Sequence, residues 1–448
     1  MPEIIRDSQK VMMEVKPFKA FRYNRDVVGD VGSCLAPPYD VISPAQQRQL
    51  YNKSEYNIIR IIKGEQKDSD NNSNNQYTRA ADYFNKWTQE GVLKQDADET
   101  IYAYVQDFEV AGRNFQRRGF IGLARLEEFG KMVQPHEYTL EPPKVDRLKL
   151  AKATEGVFGL VFMLYQDEKK VADGIIENAV RDEALIDFYD EQKVRHRLYA
   201  ITSKENIDAM TEMMQDKSCI IADGHHRYET ALNYQKETNN PAADYQMTAF
   251  FNTFHKGLIV LATHRLIDNV QNFYFGELLT GLEEYFEITK HSFDSPASKA
   301  DARRKMLSQM KAEYNSNKNS FGIYAADSAF YVATLKDKSV MDTIAPNKSS
   351  AFRALDVSVL HKMILEKMLG IDKQKLSSGG HIEYVKDTDD AVDKSIGAVD
   401  EDTKQTAFFM NPAKIQQIEM VVDAGEKMPQ KSTFFYPKVY SGLTISKL

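Results

Sequence analysis

Residues 218–232 read Ser218-Cys219-Ile220-Ile221-Ala222-Asp223-Gly224-His225-His226-Arg227-Tyr228-Glu229-Thr230-Ala231-Leu232. A short apolar run that stops at Asp-Gly reads as a buried strand, and the stretch behind it opens a helix. Gly224 lets the backbone turn tightly and approach a ligand closely. The start of the helix presents free N–H groups and the positive end of the macrodipole. Two imidazoles and a guanidinium at that same end add donors suited to phosphate oxygens. Strand, turn and helix together predict an α/β core. The turn itself predicts an anion site built by Gly224, His225, His226 and Arg227, with the Asp223 carboxylate beside it.

The pattern on either side agrees with an α/β or α+β class. The Asn-rich segment 66–76 predicts a surface loop. Residues 77–89 follow as an amphipathic helix with Ala80, Tyr83, Phe84 and Trp87 on one face. Residues 100–109 and 115–127 alternate around a turn at Gly112 and predict a hairpin. Residues 157–166, 198–203 and 247–252 predict further strands, 228–236 a helix, and 258–263 a short apolar stretch. Beyond about residue 290 the pattern predicts a second unit. It holds a helix near 299–314, a hairpin over 320–335, a helix over 356–369, strands at 382–385 and 407–410, and a helix over 414–424. The expected division is therefore 1–290 for the core with an inserted hairpin, and 291–448 for a C-terminal α/β unit that contributes to or covers the site.

Composition limits the function classes. The chain has 448 residues, enough for about two or three domains. Its formal charge of -7 counts against nucleic acid as the main partner. Two cysteines, Cys34 and Cys219, cannot build a disulfide framework or a Cys-based zinc site. With a charged N-terminal stretch in place of a signal-peptide pattern, the expectation is a cytoplasmic protein. The apolar run 157–165 falls short of the roughly 20 residues that cross a bilayer, so no membrane association is expected.

Four other segments carry candidate chemistry. Pro37-Pro38-Tyr39-Asp40 is a stiff turn that delivers Tyr39 and Asp40 in a fixed direction, and Ser43-Pro44 opens a helix behind it. His136-Glu137 places an imidazole and a carboxylate in a loop, suited to a general base or a metal, with Lys144, Asp146 and Arg147 close behind. Thr263-His264-Arg265 closes an apolar run and repeats the pattern of a strand ending in imidazole and guanidinium. Ligands gather at such strand ends in α/β sheets. Lys431-Ser432-Thr433 resembles the end of a phosphate loop, but the glycines that motif needs upstream are absent, so it is no P-loop. These residues suit a phosphate or a substrate carboxylate. His196, His255, His291, His361 and His381 stand alone and read as structural or surface residues.

The Asp223-Gly224-His225-His226-Arg227 turn resembles the phosphate-binding signature of the ParB/sulfiredoxin-like superfamily. Sulfiredoxins carry Gly-Cys-His-Arg with a nucleophilic cysteine, and His225 stands at that cysteine position here, so the resemblance does not extend to sulfinic-acid reduction. Chromosome-partitioning members carry Gly-Glu-Arg-Arg. Nucleotide-dependent free-serine kinases carry Asp-Gly-His-His-Arg, as this chain does. Across its length the sequence also resembles the bacterial and archaeal family catalogued as domain of unknown function 1015. That likeness rests on 36–43 (APPYDVIS), His136-Glu137, 143–148 (PKVDRL), the central turn, Thr263-His264-Arg265, 428–433 (MPQKST) and 435–438 (FYPK).

The resemblance implies a ParB/sulfiredoxin-like nucleotide-binding core and a small-molecule kinase that uses ATP or ADP with Mg²⁺, with free L-serine as the acceptor. Gly224, His225, His226, Arg227, His264 and Arg265 would bind nucleotide phosphates, and Glu137, Asp223, His226 and Arg227 would act in catalysis. Tyr39, Asp40, Lys144, Lys431, Ser432 and Thr433 would meet the substrate, and Asp223 or Glu137 would reach Mg²⁺. A nucleotide-binding regulatory protein of ParB-like type and a metal-assisted phosphodiester hydrolase remain as alternatives. The oligomeric state stays open.

Overall fold

The apolar run of the opening stretch forms strand Cys219–Asp223, near one edge of a nine-stranded mixed sheet. The computed structural model describes residues 12–139, 141–388 and 390–448, so the charged residues 1–11 lie outside it. The chain divides into two compact units. The first comprises 1–135, 139–258 and 437–448, and the second 136–138 and 259–436. A cut at 290/291 would pass through strand Phe286–Ser292 of the second unit.

In the first unit the strands lie in the order Val133–Pro135, Cys219–Asp223, Val161–Tyr165, Tyr245–Asn252, Arg113–Arg125, Ile101–Val110, Arg195–Ile201, Ile186–Tyr189. Val15–Lys16 adds to Arg113–Arg125. Cys219–Asp223 runs parallel to Val133–Pro135 and antiparallel to Val161–Tyr165, which in turn runs parallel to Tyr245–Asn252. The α/β class is borne out. The expected hairpin is the pair Ile101–Val110 and Arg113–Arg125, joined through Ala111 and Gly112, both at positive φ. The expected strand over 157–166 is shorter. Only Val161–Tyr165 is in the large sheet, while Gly156–Val157 pairs with Ser446–Lys447. All five residues of Val161–Tyr165 are buried, as a strand covered on both faces requires.

Helix His225–Glu237 packs against helix Glu141–Thr154. The latter carries Lys144, Asp146 and Arg147, so the charged segment behind His136-Glu137 is helical. Pro143 falls within its first turn, where a missing N–H costs little. Helix Gln76–Gln89 buries Ala80, Phe84 and Trp87 as its spacing predicts, and Asn75 caps it. Cys34 and Cys219 are both free and buried.

The second unit is a six-stranded antiparallel sheet in the order Phe286–Ser292, Ala329–Leu335, Ser320–Tyr324, Thr406–Phe409, Thr263–Ile267, Ile382–Lys386. Helix Pro296–Asn315, capped by Ser295, buries Ala302, Met306 and Met310 in the core of this unit. The expected helix over 356–369 is wound differently. An α-helical turn, Asp356–Val359, continues as a π-helix over Leu360–Met368. Leu360, Met363, Ile364 and Leu365 are buried in this winding, and apolar spacing alone does not separate it from an α-helix. No helix among the described residues is long and apolar enough to cross a membrane.

Candidate anion site at the strand 219–223 turn

Asp223 is the last residue of its strand, and Gly224 carries the chain round at φ +89° into the helix that begins at His225. That backbone conformation is one L side chains rarely adopt, which is the physical reason for glycine here. Gly224 also has no side chain with which to cap the helix. The first helical bond, from the Tyr228 N–H to the Gly224 carbonyl, is in place at 3.0 Å. His225 is buried, and His226 and Arg227 are half-buried.

Arg227 folds back across the turn. Its Nη2 donates to Asp223 Oδ2 at 2.7 Å, and its Nη1 donates to the Leu160 carbonyl. Lys438 reaches the other oxygen, donating from Nζ to Asp223 Oδ1 at 2.6 Å. The three side chains are 12–16% exposed. Burial by itself would raise the Asp223 carboxyl, but the charges of Lys438 and Arg227 outweigh it and hold the group well below the usual carboxylate range. Two cations therefore stand on one carboxylate at the mouth of a helix N-terminus.

The sheet holds Lys438 in place from behind. Gln106 Nε2 donates to the Lys438 carbonyl at 2.9 Å, and Arg117 donates to the Pro437 carbonyl. Arg117 also donates from Nε to Gln106 Oε1 at 2.9 Å. Its guanidinium is fully buried against the neighbouring rings of Phe162 and Phe251, 4.8 and 4.7 Å from their centroids. Burial pushes its pKa down to about 9. Gly159 makes room on the other side. A Cβ there would lie 3.3 Å from Arg227 Nη1 and 3.5 Å from Ser441 Oγ.

Arg227 also lines a pocket together with Tyr39, Arg147, Ala231, Tyr234, Gln246 and Ser441. The Arg147 guanidinium lies 4.0 Å from the centroid of the Tyr39 ring and donates to the Ile62 carbonyl at 2.6 Å. Asp40 is exposed. Lys144 is engaged elsewhere, pairing with Glu229 at 3.1 Å while Thr139 donates to the same carboxylate.

The remaining candidates belong to the second unit, each with its own local partners. Glu137 Oε1 accepts from the Lys431 N–H at 2.6 Å. The buried His136 Nε2 lies 2.8 Å from Thr433 Oγ1, and Ser432 donates to the Pro429 carbonyl. The expectation that His264 and Arg265 end a strand is corrected. Both sit inside Thr263–Ile267, because Leu266 and Ile267 continue the apolar run. His264 accepts from the Met410 N–H at Nδ1, and its Nε2 is 3.2 Å from Asp387. Arg265 donates to the Thr263 and Lys431 carbonyls, and burial lowers its pKa to about 10.

Sequence reasoning grouped Asp223, Gly224, His225, His226 and Arg227, and the structure keeps them together. It missed Gln106, Arg117, Gly159 and Ser441, and it named Lys438 only as part of a motif. No local pattern links residues that far apart in the chain. Among the described residues no three His, Cys, Asp or Glu side chains cluster as a metal site. At the turn the one carboxylate present, Asp223, has both oxygens on cations, so this donor set does not by itself fit a Mg²⁺ ion.

A protein family described as "Protein of unknown function (DUF1015)" matches residues 15–358. No curated protein matches the chain. Among solved structures, a free serine kinase in complex with AMP is 12% identical, with a TM-score of 0.32 over 70% of this chain and 89% of that one. A conserved hypothetical protein from Pyrococcus furiosus is 11% identical, with a TM-score of 0.32 over 71% of this chain and 91% of its own. SbnI with a C-terminal truncation, from Staphylococcus aureus, is 10% identical, with a TM-score of 0.32 over 71% of this chain and 84% of its own. At these values the likeness is remote.

Proposed function

The chain belongs to the DUF1015 family, and from the chemistry of its central turn we propose that it is a small-molecule kinase, moving a phosphoryl group from ATP or ADP to a hydroxyl acceptor, with free L-serine as the acceptor. The observation that carries the proposal is the pair of cations, Arg227 and Lys438, held on Asp223 beside the helix start that Gly224 opens. Backbone N–H groups of a helix start and fixed cations are what phosphate oxygens require. The choice of serine is supported by the turn sequence, which resembles that of free-serine kinases.

In this reading phosphates settle on the turn from Gly224 to Arg227. The acceptor oxygen attacks the terminal phosphorus, the bond from that phosphorus to the bridging oxygen breaks, and the nucleotide leaves one phosphate shorter. The hydroxyl proton passes to a base, for which Glu137 is the candidate. Such chemistry depends on positioning and charge stabilisation. Arg227, Lys438 and His226 would neutralise the charge on the leaving oxygen, while Asp223 keeps the two cations in place. Mg²⁺ would arrive mainly on phosphate oxygens and water, with Glu137 a further ligand candidate. His264, Arg265, Lys431, Ser432 and Thr433 stay as candidates of the second unit, and Tyr39, Asp40 and Lys144 as candidates of the first.

The test is direct. The full chain is incubated with Mg²⁺, L-serine and either ATP or ADP, and O-phosphoserine is measured. Product that disappears in Arg227→Ala and Glu137→Ala, with the fold retained, supports the proposal. An absence of phosphorylated product with every nucleotide and hydroxyl amino acid tried sinks it. DNA retention that rises with CTP would move the reading to a ParB-like regulator.

A further inference from the structure

We propose that the apolar pocket beside the turn seats the base of the nucleotide whose phosphates the turn receives. This rests on the phosphate reading above. The link between the two places is Arg227, which is bonded to Asp223 at the turn and also forms part of the pocket wall. The same helix supplies more of that wall. Arg227, Thr230, Ala231 and Tyr234 are spaced i, i+3, i+4 and i+7, so one stripe of the helix faces the pocket while its N-terminus faces the phosphate position. From the helix start to Tyr234 is about 13 Å at 1.5 Å per residue, comparable to the reach from a nucleotide's phosphates to its base.

The walls suit a flat heterocycle. Ala151 and Phe158 join Ala231 in a largely apolar lining. Tyr39 contributes a ring with the Arg147 guanidinium 4.0 Å from its centroid, and both side chains line the pocket as flat groups for a heterocycle to pack on. Gln246 adds a carboxamide that is 3% exposed. Its Nε2 is used on the Met247 carbonyl at 3.1 Å, which leaves the Oε1 acceptor for a polar edge. Apolar walls with a few placed polar groups are the usual composition of a site for a small ring system. An aliphatic chain would use the walls but gain nothing from the carboxamide.

The experiment compares ATP with inorganic tripolyphosphate, which carries the phosphates without the base, by calorimetric titration of the full chain. Two variants narrow the pocket from different helices, Ala231→Phe and Ala151→Leu, with circular dichroism as the check on folding. Should Ala231→Phe lose its fold, Ala151→Leu carries the readout. The expected result is ATP binding tighter than tripolyphosphate by about tenfold or more in the native chain, with that ratio falling to within about threefold of unity in the variants while tripolyphosphate still binds. Equal affinities in the native chain, or a ratio that survives in the narrowed pockets, overturn the base site and leave the phosphate turn standing. If neither compound binds, the phosphate reading and the base site fall together.

Discussion

Lys438 Nζ and Asp223 Oδ1 lie 2.6 Å apart although 215 positions separate them in the chain. The contact joins a chain of polar bonds. Arg117 and Gln106 hold the 437–438 backbone, Lys438 holds Asp223, and Asp223 holds Arg227, which also bonds to Leu160. Asp223 is thus the joint between the sheet, the last stretch of the chain and the helix start.

Removing either cation should affect binding more than folding. Arg227→Ala and Lys438→Ala each leave Asp223 with one partner, a change of about 1–3 kcal/mol in stability for a charge-assisted bond. Tripolyphosphate affinity should drop by about tenfold or more in each. Arg227→Lys should restore little, because one ammonium cannot bond Asp223 and the Leu160 carbonyl in the geometry of a guanidinium. Titration calorimetry with denaturant unfolding of the same samples separates the two effects.

Asp223→Asn should be the costliest change at the turn, since it leaves two close cations without their anion, about 3–5 kcal/mol at neutral pH. The pH dependence has a definite sign. The carboxyl is held below its unfolded value, so its contribution is present above that value and is lost as pH falls through the carboxylate range. The stability gap between native chain and variant should therefore shrink on acidification from about pH 7 to about pH 3. A gap that widens over that range would contradict the ion-pair account.

Gly224→Ala puts a Cβ 3.0 Å from Arg227 Nε and forces an L side chain to φ +89°. The backbone strain is about 1–2 kcal/mol, and the guanidinium must move as well. Loss of anion affinity together with a modest fall in Tm is expected. Unchanged affinity would show that Arg227 placement is not what the turn requires.

Gln106→Leu takes away the group that bonds both Arg117 and the Lys438 carbonyl. A buried guanidinium left short of an acceptor costs about 1–3 kcal/mol. If Gln106 acts by positioning Lys438, the nucleotide KM should rise while the KM for the acceptor stays close to native. Equal changes in both would indicate a general loss of structure.

In the second unit, burial raises the Asp356 carboxyl to about 7, despite a 2.6 Å bond from Asn319 Nδ2. A raised carboxyl favours folding when protonated, so stability should fall as pH rises from about 4 to 7 and remain lower above. Asp356→Asn should flatten this dependence, raising stability by about 1–3 kcal/mol at pH 8 and changing little at pH 4. Unfolding midpoints across that range test it.

The elements themselves were largely legible. Strand Cys219–Asp223, helix Gln76–Gln89, the Gly112 hairpin and helix Pro296–Asn315 each show a period or a cap in their own residues. What misled lay at a junction, where the apolar run before His264 read as ending although it continues. The winding of 360–368 was not legible, since burial of the same side chains does not report the pitch of the backbone.

The sequence by itself determined the α/β class and the five-residue turn, because a strand end, a glycine and a helix start are local events governed by neighbouring residues. Only the tertiary structure decided that Lys438 and Arg227 share Asp223, that Arg117 and Gln106 hold the Lys438 backbone, and that the stripe from Arg227 to Tyr234 walls a pocket. Those are contacts between distant parts of the chain. They are selected by burial of the sheet and by the cost of leaving a buried charge unpaired, and neither acts within the reach of a local pattern.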